Sequence, residues 1–360
     1  MEIAPKHNLF ATVAEMLALE TLSELLSQRV TQVDVTLIDN HEGVAGGKLS
    51  RIKTNAGNFI LKQMNSSHDW AMYTTNDHRC RSVTLWQYGL LDDLRLHFEH
   101  KIVACSRDED GWGILMEDLG DAVFRWPDRL TSAQHVRLLL DGLAWQHGRY
   151  WNHNELQDEQ LGLCSMAEYL NSLNFPEAHK HRETTTWGIV PGLLSEGWQV
   201  AETLLEKQLF AEVLDLSKNP KPLLAAIDRY PATFFHGDVN INNMGYADKL
   251  VLLDWQIATY SLMTADLAWI TRHGWMVEHF GDEDSAIAFY RDRLETHLGE
   301  RIDDIEWQAM VDLGYAVDAL RCIGLWGYNS KHAEDEEGRE WNRLEVLKCG
   351  QRIIRAKRWF

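Results

Sequence analysis

Two aspartates and an asparagine lie close together in the sequence, at the ends of two apolar runs. Asp238 follows the apolar run 232–235, and Asn243 comes five residues later. Asp254 then ends a second apolar run, 249–253. A carboxylate near a hydroxyl can orient it and accept its proton, whereas an amide oxygen and a second carboxylate are hard ligands suited to Mg²⁺ and its phosphates. The pattern predicts phosphoryl transfer, with Asp238 as the base and Asn243 and Asp254 as the metal ligands.

The spacing of Asp238 and Asn243 by itself would also fit an ordinary turn rich in Asx residues. The position of the loop between two apolar runs, directly after His236 and Gly237, favours a functional loop instead. The runs 232–235 and 249–253 are accordingly predicted to be the strands that position it. Of the neighbouring residues, His236 is predicted to brace the loop backbone, and Asp266 to accept hydrogen bonds from it.

The rest of the chain changes character near residue 118. Before this point, apolar and β-branched runs predict strands joined by short turns, which favours an antiparallel sheet. After it, apolar residues recur at helical spacing. The predicted strands are 33–39, 48–54, 58–63, 102–106 and 112–117, and the predicted helices are 8–27, 77–89, 132–150, 193–216, 284–298, 305–326 and 338–359. The expected fold is α+β and bilobal, with a β-rich nucleotide-binding lobe over 1–118 and an α-rich catalytic and substrate lobe over 119–360.

The composition narrows the classes of partner. The 360 residues carry 54 acidic and 35 basic side chains, a formal net charge of −19. Such a charge argues against general binding to nucleic acid or to an anionic membrane surface. No apolar run reaches the ~20 residues that span a bilayer. Five widely spaced cysteines, with no CxxC pair, and no signal-like N-terminal segment predict a cytoplasmic protein with reduced thiols.

The catalytic-loop pattern is similar to that of a known enzyme family. His236-Gly237-Asp238, then Asn243, then Leu253-Asp254-Trp255 resembles the aminoglycoside phosphotransferase and choline kinase family. The segments 113–120, 143–147 and 265–268 also resemble segments of that family, so the likeness extends over about 33–269. The resemblance implies a protein-kinase-like fold and the phosphorylation of a small-molecule hydroxyl with ATP or GTP and Mg²⁺.

The resemblance also implies where the nucleotide binds. The family needs a strand lysine that holds nucleotide phosphates, and Lys62 in the run Phe59-Ile60-Leu61-Lys62 matches it. The loop 43–48, which contains Gly46 and Gly47, would let backbone N–H groups approach the phosphates. The nucleotide base is expected near Met116, Glu117 and Leu119. The sequence GxxxxGK[ST] does not occur in the chain.

One departure from the family pattern leaves the activity open to a second interpretation. Relatives carry a glutamate on the next helix that pairs with the strand lysine, whereas this chain has Ser82 there. Either Asp77 or another acid replaces that glutamate, or Lys62 is held differently. The alternative function is a non-catalytic, nucleotide-binding pseudokinase. Protein phosphorylation is disfavoured, because the sequence lacks the DFG and APE segments and Trp255 follows Asp254.

The acceptor is the least determined part of the prediction. The partner is expected to be a small molecule that carries a hydroxyl group. Acidic residues after the 265–268 segment would suit a cationic amino-sugar or amino-alcohol, and they would equally suit a solvated surface. These residues are Glu278, Asp282, Glu283 and Asp284. The sequence leaves the oligomeric state and the choice between ATP and GTP open.

Overall fold

The structure is a computed structural model that describes residues 4–38, 46–124, 132–272, 276 and 279–360. Within these residues the strands are β1 (Val33–Leu37), β2 (Lys48–Thr54), β3 (Gly57–Met64), β4 (Phe98–Glu99), β5 (Ile102–Asp108), β6 (Gly111–Glu117), β7 (Thr233–Phe235), β8 (Met244–Tyr246), β9 (Leu250–Leu252) and β10 (Thr259–Ser261). The helices are α1 (Val13–Met16), α2 (Leu19–Leu25), α3 (Trp70–Thr74), α4 (Arg81–Gln87), α5 (Leu90–Asp93), α6 (Ala133–Arg149), α7 (Met166–Asn171), α8 (Phe175–Lys180), α9 (Val190–Leu204), α10 (Lys207–Lys218), α11 (Lys221–Ile227), α12 (Thr264–Thr271), α13 (Glu283–Leu298), α14 (Asp304–His332) and α15 (Glu336–Ala356). The combination of sheet and many helices confirms the predicted α+β class.

Contacts between residues group the chain into two units. The N-terminal unit comprises the described residues of Met1–Thr131, together with Gln157–Gly162 and Asn240–Gln256. The C-terminal unit comprises Ser132–Leu156, Leu163–Val239 and the described residues of Ile257–Phe360. The N-terminal unit therefore includes a hairpin from the second half of the sequence. The lobe boundary near residue 118 stays a prediction.

The main sheet of the N-terminal unit has the strand order β1-β2-β3-β6-β5, and every neighbouring pair is antiparallel. In β3, Phe59 and Leu61 are buried on one face, whereas Ile60 and Lys62 lie on the other and are half-buried. This alternation follows from the period of two in an extended strand. The buried face packs against α1 and α2, and the burial of this apolar surface stabilises the unit. The predicted strands 48–54 and 58–63 correspond to β2 and β3, which form an antiparallel hairpin.

A smaller sheet in the same unit has the order β4-β9-β8. Here β8 and β9 form an antiparallel hairpin, with Met244 opposite Leu252, and β4 pairs with β9 in parallel. The hairpin is the element that positions two of the predicted site residues.

The C-terminal unit is mainly helical and is organised around the long helix α14, which packs against α9, α12 and α15. Glycines permit the close approach of α9 and α14, because a Cβ atom at Gly197 would lie 1.7 Å from the carbonyl oxygen of Gly324. A two-stranded antiparallel sheet, β7 with β10, lies in this unit, and all three residues of β7 are buried. Ser132 caps α6, since its side chain accepts the His135 N–H and the helix begins at the next residue.

Two sequence-based predictions of continuous helices are wrong. The segment 8–27 forms the two short helices α1 and α2, and the segment 193–216 is divided between α9 and α10. In the second case the chain leaves the helix at Leu205, and the side chain of Glu206 caps the new helix by accepting the Leu209 N–H. Such a cap satisfies a backbone N–H group that would otherwise lose its intrahelical partner, so the break is stabilised locally.

Two predictions from composition concern the state of the cysteines and the presence of membrane-spanning segments. All five cysteines are free and buried. None of the described helices combines the length and the apolar character needed to cross a membrane.

Candidate functional site

The β8–β9 hairpin brings the two predicted metal ligands to one end of the small sheet. Asn243 directly precedes β8, and Asp254 follows β9 with only Leu253 between them; the Leu253 N–H donates to the Asn243 carbonyl oxygen at 2.8 Å. Asp254 adopts a left-handed backbone with φ of +63°. This conformation costs about 1–2 kcal/mol for a residue with a side chain. Strain of this kind is concentrated at functional positions.

The chemistry of these side chains fits Mg²⁺. The Oδ1 atom of Asp254 is buried and has no hydrogen-bond partner among the described residues, so it can accept a metal ion or water. Asn243 and Asp254 are hard oxygen donors, and Mg²⁺ takes its other ligands from water and phosphate. Over the described ranges, no group of three or more His, Cys, Asp or Glu side chains could hold a metal ion by itself.

Lys62 lies beside this hairpin end. Its Nζ atom is 2.8 Å from Oδ2 of Asp254, and its side chain is 15% exposed. Burial disfavours the charged form of Lys62, but the charge of Asp254 and the hydrogen bond to it outweigh burial and raise the lysine pKa. The structure therefore brings together three residues that the sequence analysis selected separately, and it keeps the lysine positively charged.

The described end of the glycine loop also contacts this region. Gly46 has a φ of +103°, and a Cβ atom there would lie 2.0 Å from the carbonyl oxygen of His68. A Cβ atom at Gly47 would lie 3.4 Å from Cε of Lys62. Glycine is thus required at residue 46 by both backbone conformation and space. The first part of the predicted loop, residues 43–45, lies outside the described residues.

The three residues expected near the nucleotide base lie at the end of β6 and just after it. Met116 is half-buried and pairs with Ile60, whereas Glu117 is exposed and lies 3.4 Å from the ammonium of Lys101. Leu119 follows the strand and is half-buried. Their contact with a nucleotide base stays a prediction.

The loop that carries Asp238 belongs to the C-terminal unit and is held by backbone hydrogen bonds. The Asp238 N–H donates to Nδ1 of His236 at 3.1 Å, and the Gly237 N–H donates to the Asp266 carboxylate at 2.9 Å. Gly237 has a φ of +86°, and a Cβ atom there would lie 2.6 Å from the carbonyl oxygen of Ile257. His236 and Asp266 therefore have the bracing roles that the sequence predicts, and Asp238 is half-buried after the buried strand β7.

A second layer of contacts braces the same loop, and the sequence analysis missed it. The Tyr169 hydroxyl donates to the Gly237 carbonyl at 2.9 Å, and Nη1 of Arg321 donates to that hydroxyl at 2.5 Å. The Arg321 guanidinium lies 3.8 Å from the centre of the Tyr169 ring. Burial lowers the pKa of Arg321, but the nearby Tyr169, Cys322 and Asp238 side chains raise it overall. Arg321 is thus held charged within the electrostatic reach of Asp238.

The structure distinguishes Asp77 from other acids as a replacement for the glutamate that this chain lacks. Asp77 accepts the Arg81 N–H at 2.9 Å and lies 3.7 Å from Nη1 of Arg81, so it pairs with that arginine. Asp69 is the acid, besides Asp254, whose charge raises the pKa of Lys62. The sequence analysis did not name Asp69, although its place before the apolar start of α3 is a typical N-cap signal.

Part of the chain matches the model of a known protein family. Residues 173–299 match the model of the phosphotransferase enzyme family, abbreviated APH. The family resemblance is confirmed. The matched segment contains Asp238, Asn243, Asp254 and Asp266. It therefore includes the predicted base and both predicted metal ligands.

Solved structures that match this chain at low sequence identity include small-molecule kinases. The choline kinase LicA from Streptococcus pneumoniae is 15% identical, with 92% of this chain and 96% of that one covered and a TM-score of 0.45. The Plasmodium vivax ethanolamine kinase is 13% identical, with coverages of 88% and 82% and a TM-score of 0.47. Spectinomycin phosphotransferase APH(9)-Ia, solved with ADP and spectinomycin, is 12% identical, with coverages of 94% and 99% and a TM-score of 0.46. No curated protein matches the chain significantly.

Proposed function

We propose that this chain is a Mg²⁺-dependent phosphotransferase that moves the γ-phosphoryl group of ATP or GTP to a hydroxyl of a small molecule. The observation that carries the proposal is the ion pair between Lys62 and Asp254, 2.8 Å long, at the hairpin end that also holds Asn243. A charged lysine beside two hard oxygen donors is the arrangement that a nucleotide–metal complex requires. The match of residues 173–299 to the phosphotransferase family supports the same reaction class.

In the proposed reaction, Asp238 orients the acceptor hydroxyl and takes its proton. The hydroxyl oxygen forms a bond to the γ-phosphorus while the bond from that phosphorus to the β–γ bridging oxygen breaks, and ADP or GDP leaves. Lys62 and the backbone of Gly46 and Gly47 hold the phosphates. When bound by Asn243 and Asp254, Mg²⁺ supplies positive charge that neutralises the phosphates. Met116, Glu117 and Leu119 are proposed to contact the base.

The proposed nucleotide is a polyanion in a protein of net charge −19. The surrounding charges would repel it, so local groups must make the binding region favourable. Lys62 is the positively charged side chain selected for that purpose, and its raised pKa keeps it charged at neutral pH. Backbone N–H groups and Mg²⁺ would add to its effect.

The charge of the acceptor is a further part of the proposal. Of the acids that suggested a cationic acceptor, Asp282 caps α13 and Glu283 accepts two hydrogen bonds from Arg352, at 2.9 and 3.1 Å. Glu278 lies outside the described residues. Two of the acids therefore have structural roles, and their negative charge is not by itself evidence for a cationic acceptor. A direct comparison of a cationic and a neutral acceptor tests this part of the proposal. Choline and its neutral isostere 3,3-dimethylbutan-1-ol form a matched pair, and a preference for the neutral alcohol would overturn a cationic acceptor.

The test of the function is the variant Asp238→Asn. Nucleotide consumption is measured with a panel of hydroxyl compounds that begins with choline, ethanolamine and spectinomycin, and Mg²⁺–ADP binding is measured by calorimetry. Loss of the base should lower the transfer rate by about 10²–10⁴-fold and leave ADP affinity unchanged. The matched control is Asp248→Asn, an exposed aspartate between β8 and β9, which should transfer like the wild type.

Two results would contradict the proposal. Turnover by Asp238→Asn at the wild-type rate would remove Asp238 from the reaction. Binding of nucleotide by the wild type without transfer to any acceptor would favour the alternative of a non-catalytic pseudokinase.

A further inference from the structure

The outer face of helix α15 carries a regular stripe of exposed side chains. The stripe advances by alternating steps of three and four residues, and its members are Glu337, Glu340, Leu344, Leu347, Gln351 and Ile354. This is the heptad spacing by which one helix packs lengthwise against another. The apolar members Leu344, Leu347 and Ile354 are 47%, 40% and 43% exposed. Nearly half of each of these side chains is therefore in contact with solvent in the single chain.

The opposite face of α15 already supplies the contacts that the fold needs. Val346, Cys349 and Ile353 are fully buried on that face, and α15 packs against α9, α10 and α14 of the same unit. A helix on the surface of a unit needs one apolar face. The heptad stripe is a second one, and exposed apolar residues that are grouped in this way mark interaction surfaces.

The charges along the exposed face of α15 are separated by sign. Its first part is acidic, with Glu336, Glu337 and Glu340, and its last part is basic, with Lys348 and Arg355. Charges of these signs also suit the dipole of the helix. The dipole does not account for the exposed aliphatic side chains between them. A face with opposite charges at its two ends and apolar residues at its centre is complementary to a reversed copy of itself.

We propose that α15 pairs antiparallel with α15 of a second copy of this chain, about a two-fold axis between Leu344 and Leu347. The opposed pairs, each formed twice, are Leu344 with Leu347, Glu340 with Gln351 and Glu337 with Arg355. Both copies use the same surface, as a two-fold interface requires. A parallel pairing would instead place the acidic ends side by side, which is unfavourable. The inference does not depend on the proposed function.

The contact between two such helices is small. α15 has 21 residues and is therefore about 31 Å long. One pair of helices buries less surface than most stable dimers do. We therefore expect a dimer that dissociates at micromolar concentrations.

The first test is sedimentation equilibrium of the full-length protein over about 1–200 µM, a range that resolves micromolar affinities. The wild type should change from monomer to dimer. Leu347→Glu places a charge in both central contacts and should raise the dissociation constant about tenfold or more. The matched control is Leu138→Glu, because Leu138 is 41% exposed on α6, and this variant should dimerise like the wild type. A wild type that stays monomeric, or a Leu347→Glu variant that dimerises as tightly, would overturn the proposal.

Cysteine cross-linking tests the direction of the pairing without a change in the apolar residues. The five native cysteines are buried, so a new surface thiol is the group that the mild oxidant diamide reaches. Glu340→Cys and Gln351→Cys replace exposed residues that lie opposite each other only in the antiparallel register. Eleven residues, about 16 Å of helix, separate identical positions of the two copies, which is too far for a disulfide.

A disulfide should therefore form when the Glu340→Cys and Gln351→Cys proteins are mixed, and neither protein should cross-link alone. Cross-linking of each single variant by itself would show a parallel pairing and overturn the proposed arrangement. A mixture that yields no cross-linked product at concentrations where the wild type is dimeric would place the dimer contact away from α15.

Discussion

The charges around Lys62 and those around Asp238 are arranged in different ways. Near Asp238, two buried charged groups hold the loop directly or through one side chain: Asp266 accepts the Gly237 N–H, and Arg321 contacts Tyr169, which binds the Gly237 carbonyl. Near Lys62, the lysine and Asp254 form an ion pair with each other, and the charge of Asp69 also acts on the lysine.

The two arrangements of charged groups suit different roles. A loop whose backbone is held by several fixed hydrogen bonds places one side chain with little freedom, which suits a base that must meet a hydroxyl at hydrogen-bond distance. A group of charges that pair with one another can exchange partners when a ligand of opposite charge arrives. In the proposed function, the first arrangement would fix the position of Asp238, and the second would bind the nucleotide phosphates and the metal ion.

The largest effect that would test this comparison is on the stability of the second region. Burial raises the pKa of Asp69 from 3.8 to about 6, against the opposing effects of the Met72 N–H and the charge of Lys62. When an acid has a higher pKa in the folded state than in the unfolded state, the free energy of unfolding falls as pH rises between these two pKa values. The contribution of Asp69 to the free energy of unfolding should thus fall between about pH 4 and pH 6, by roughly 3 kcal/mol at the usual 1.36 kcal/mol per pKa unit.

The variant Asp69→Asn should lack that fall, because asparagine does not titrate. Chemical denaturation of the wild type and the variant at pH 4, 5, 6 and 8 measures the difference. The variant should gain stability relative to the wild type as pH rises. A constant difference across this range would show that the carboxylate is not destabilised by burial, and the contrast between the two regions would then lose its energetic basis.

The next effect is on nucleotide binding. Lys62→Met removes the cation proposed to hold the phosphates, and a hydrogen bond to a charged group contributes about 1.5–3 kcal/mol. The affinity for Mg²⁺–ADP should therefore fall by roughly 10- to 100-fold, as measured by calorimetry. Lys53→Met on the neighbouring strand is the control, because Lys53 is exposed. Equal affinities for the two variants would remove Lys62 from the phosphate site.

The site residues themselves are easier to predict from the sequence than the residues that hold the Asp238 loop in place. Asp238, Asn243 and Asp254 could be selected because they lie within one short segment between apolar runs, where spacing along the chain implies proximity. The partners of the Asp238 loop come from far away: Tyr169 is 68 residues from Gly237, and Arg321 is 152 residues from Tyr169. No periodic pattern reveals such contacts, because they depend on how helices pack in three dimensions.

Elements were missed for a local reason as well. The strands β8 and β10 have three residues each, which is too short for alternation of apolar and polar residues to be visible. The helix 193–216 was predicted as continuous because its apolar spacing persists across the break at Leu205, where neither glycine nor proline interrupts the chain. The position of Asp69 depends on the turn before α3, in which the Asp69 N–H donates to the Asn65 carbonyl oxygen, and sequence spacing does not reveal that turn.

The smallest expected effect tests the first region. Tyr169→Phe removes the hydrogen bond to the buried Gly237 carbonyl and the acceptor used by Arg321. The loss of a buried hydrogen bond costs about 1–2 kcal/mol of unfolding free energy. Because the bond braces the loop and does not contact the phosphates, kcat should fall a few-fold while the affinity for Mg²⁺–ADP stays constant.

Tyr88→Phe is the matched control, since the Tyr88 hydroxyl makes an exposed hydrogen bond to Gln160. It should lose little stability, because water replaces an exposed partner. Stability and kcat are compared for both variants by denaturation and steady-state kinetics. If Tyr169→Phe weakened nucleotide binding as much as it lowered kcat, the hydroxyl would serve binding as well as position. Nucleotide binding would then depend on the Asp238 loop as well as on the residues around Lys62.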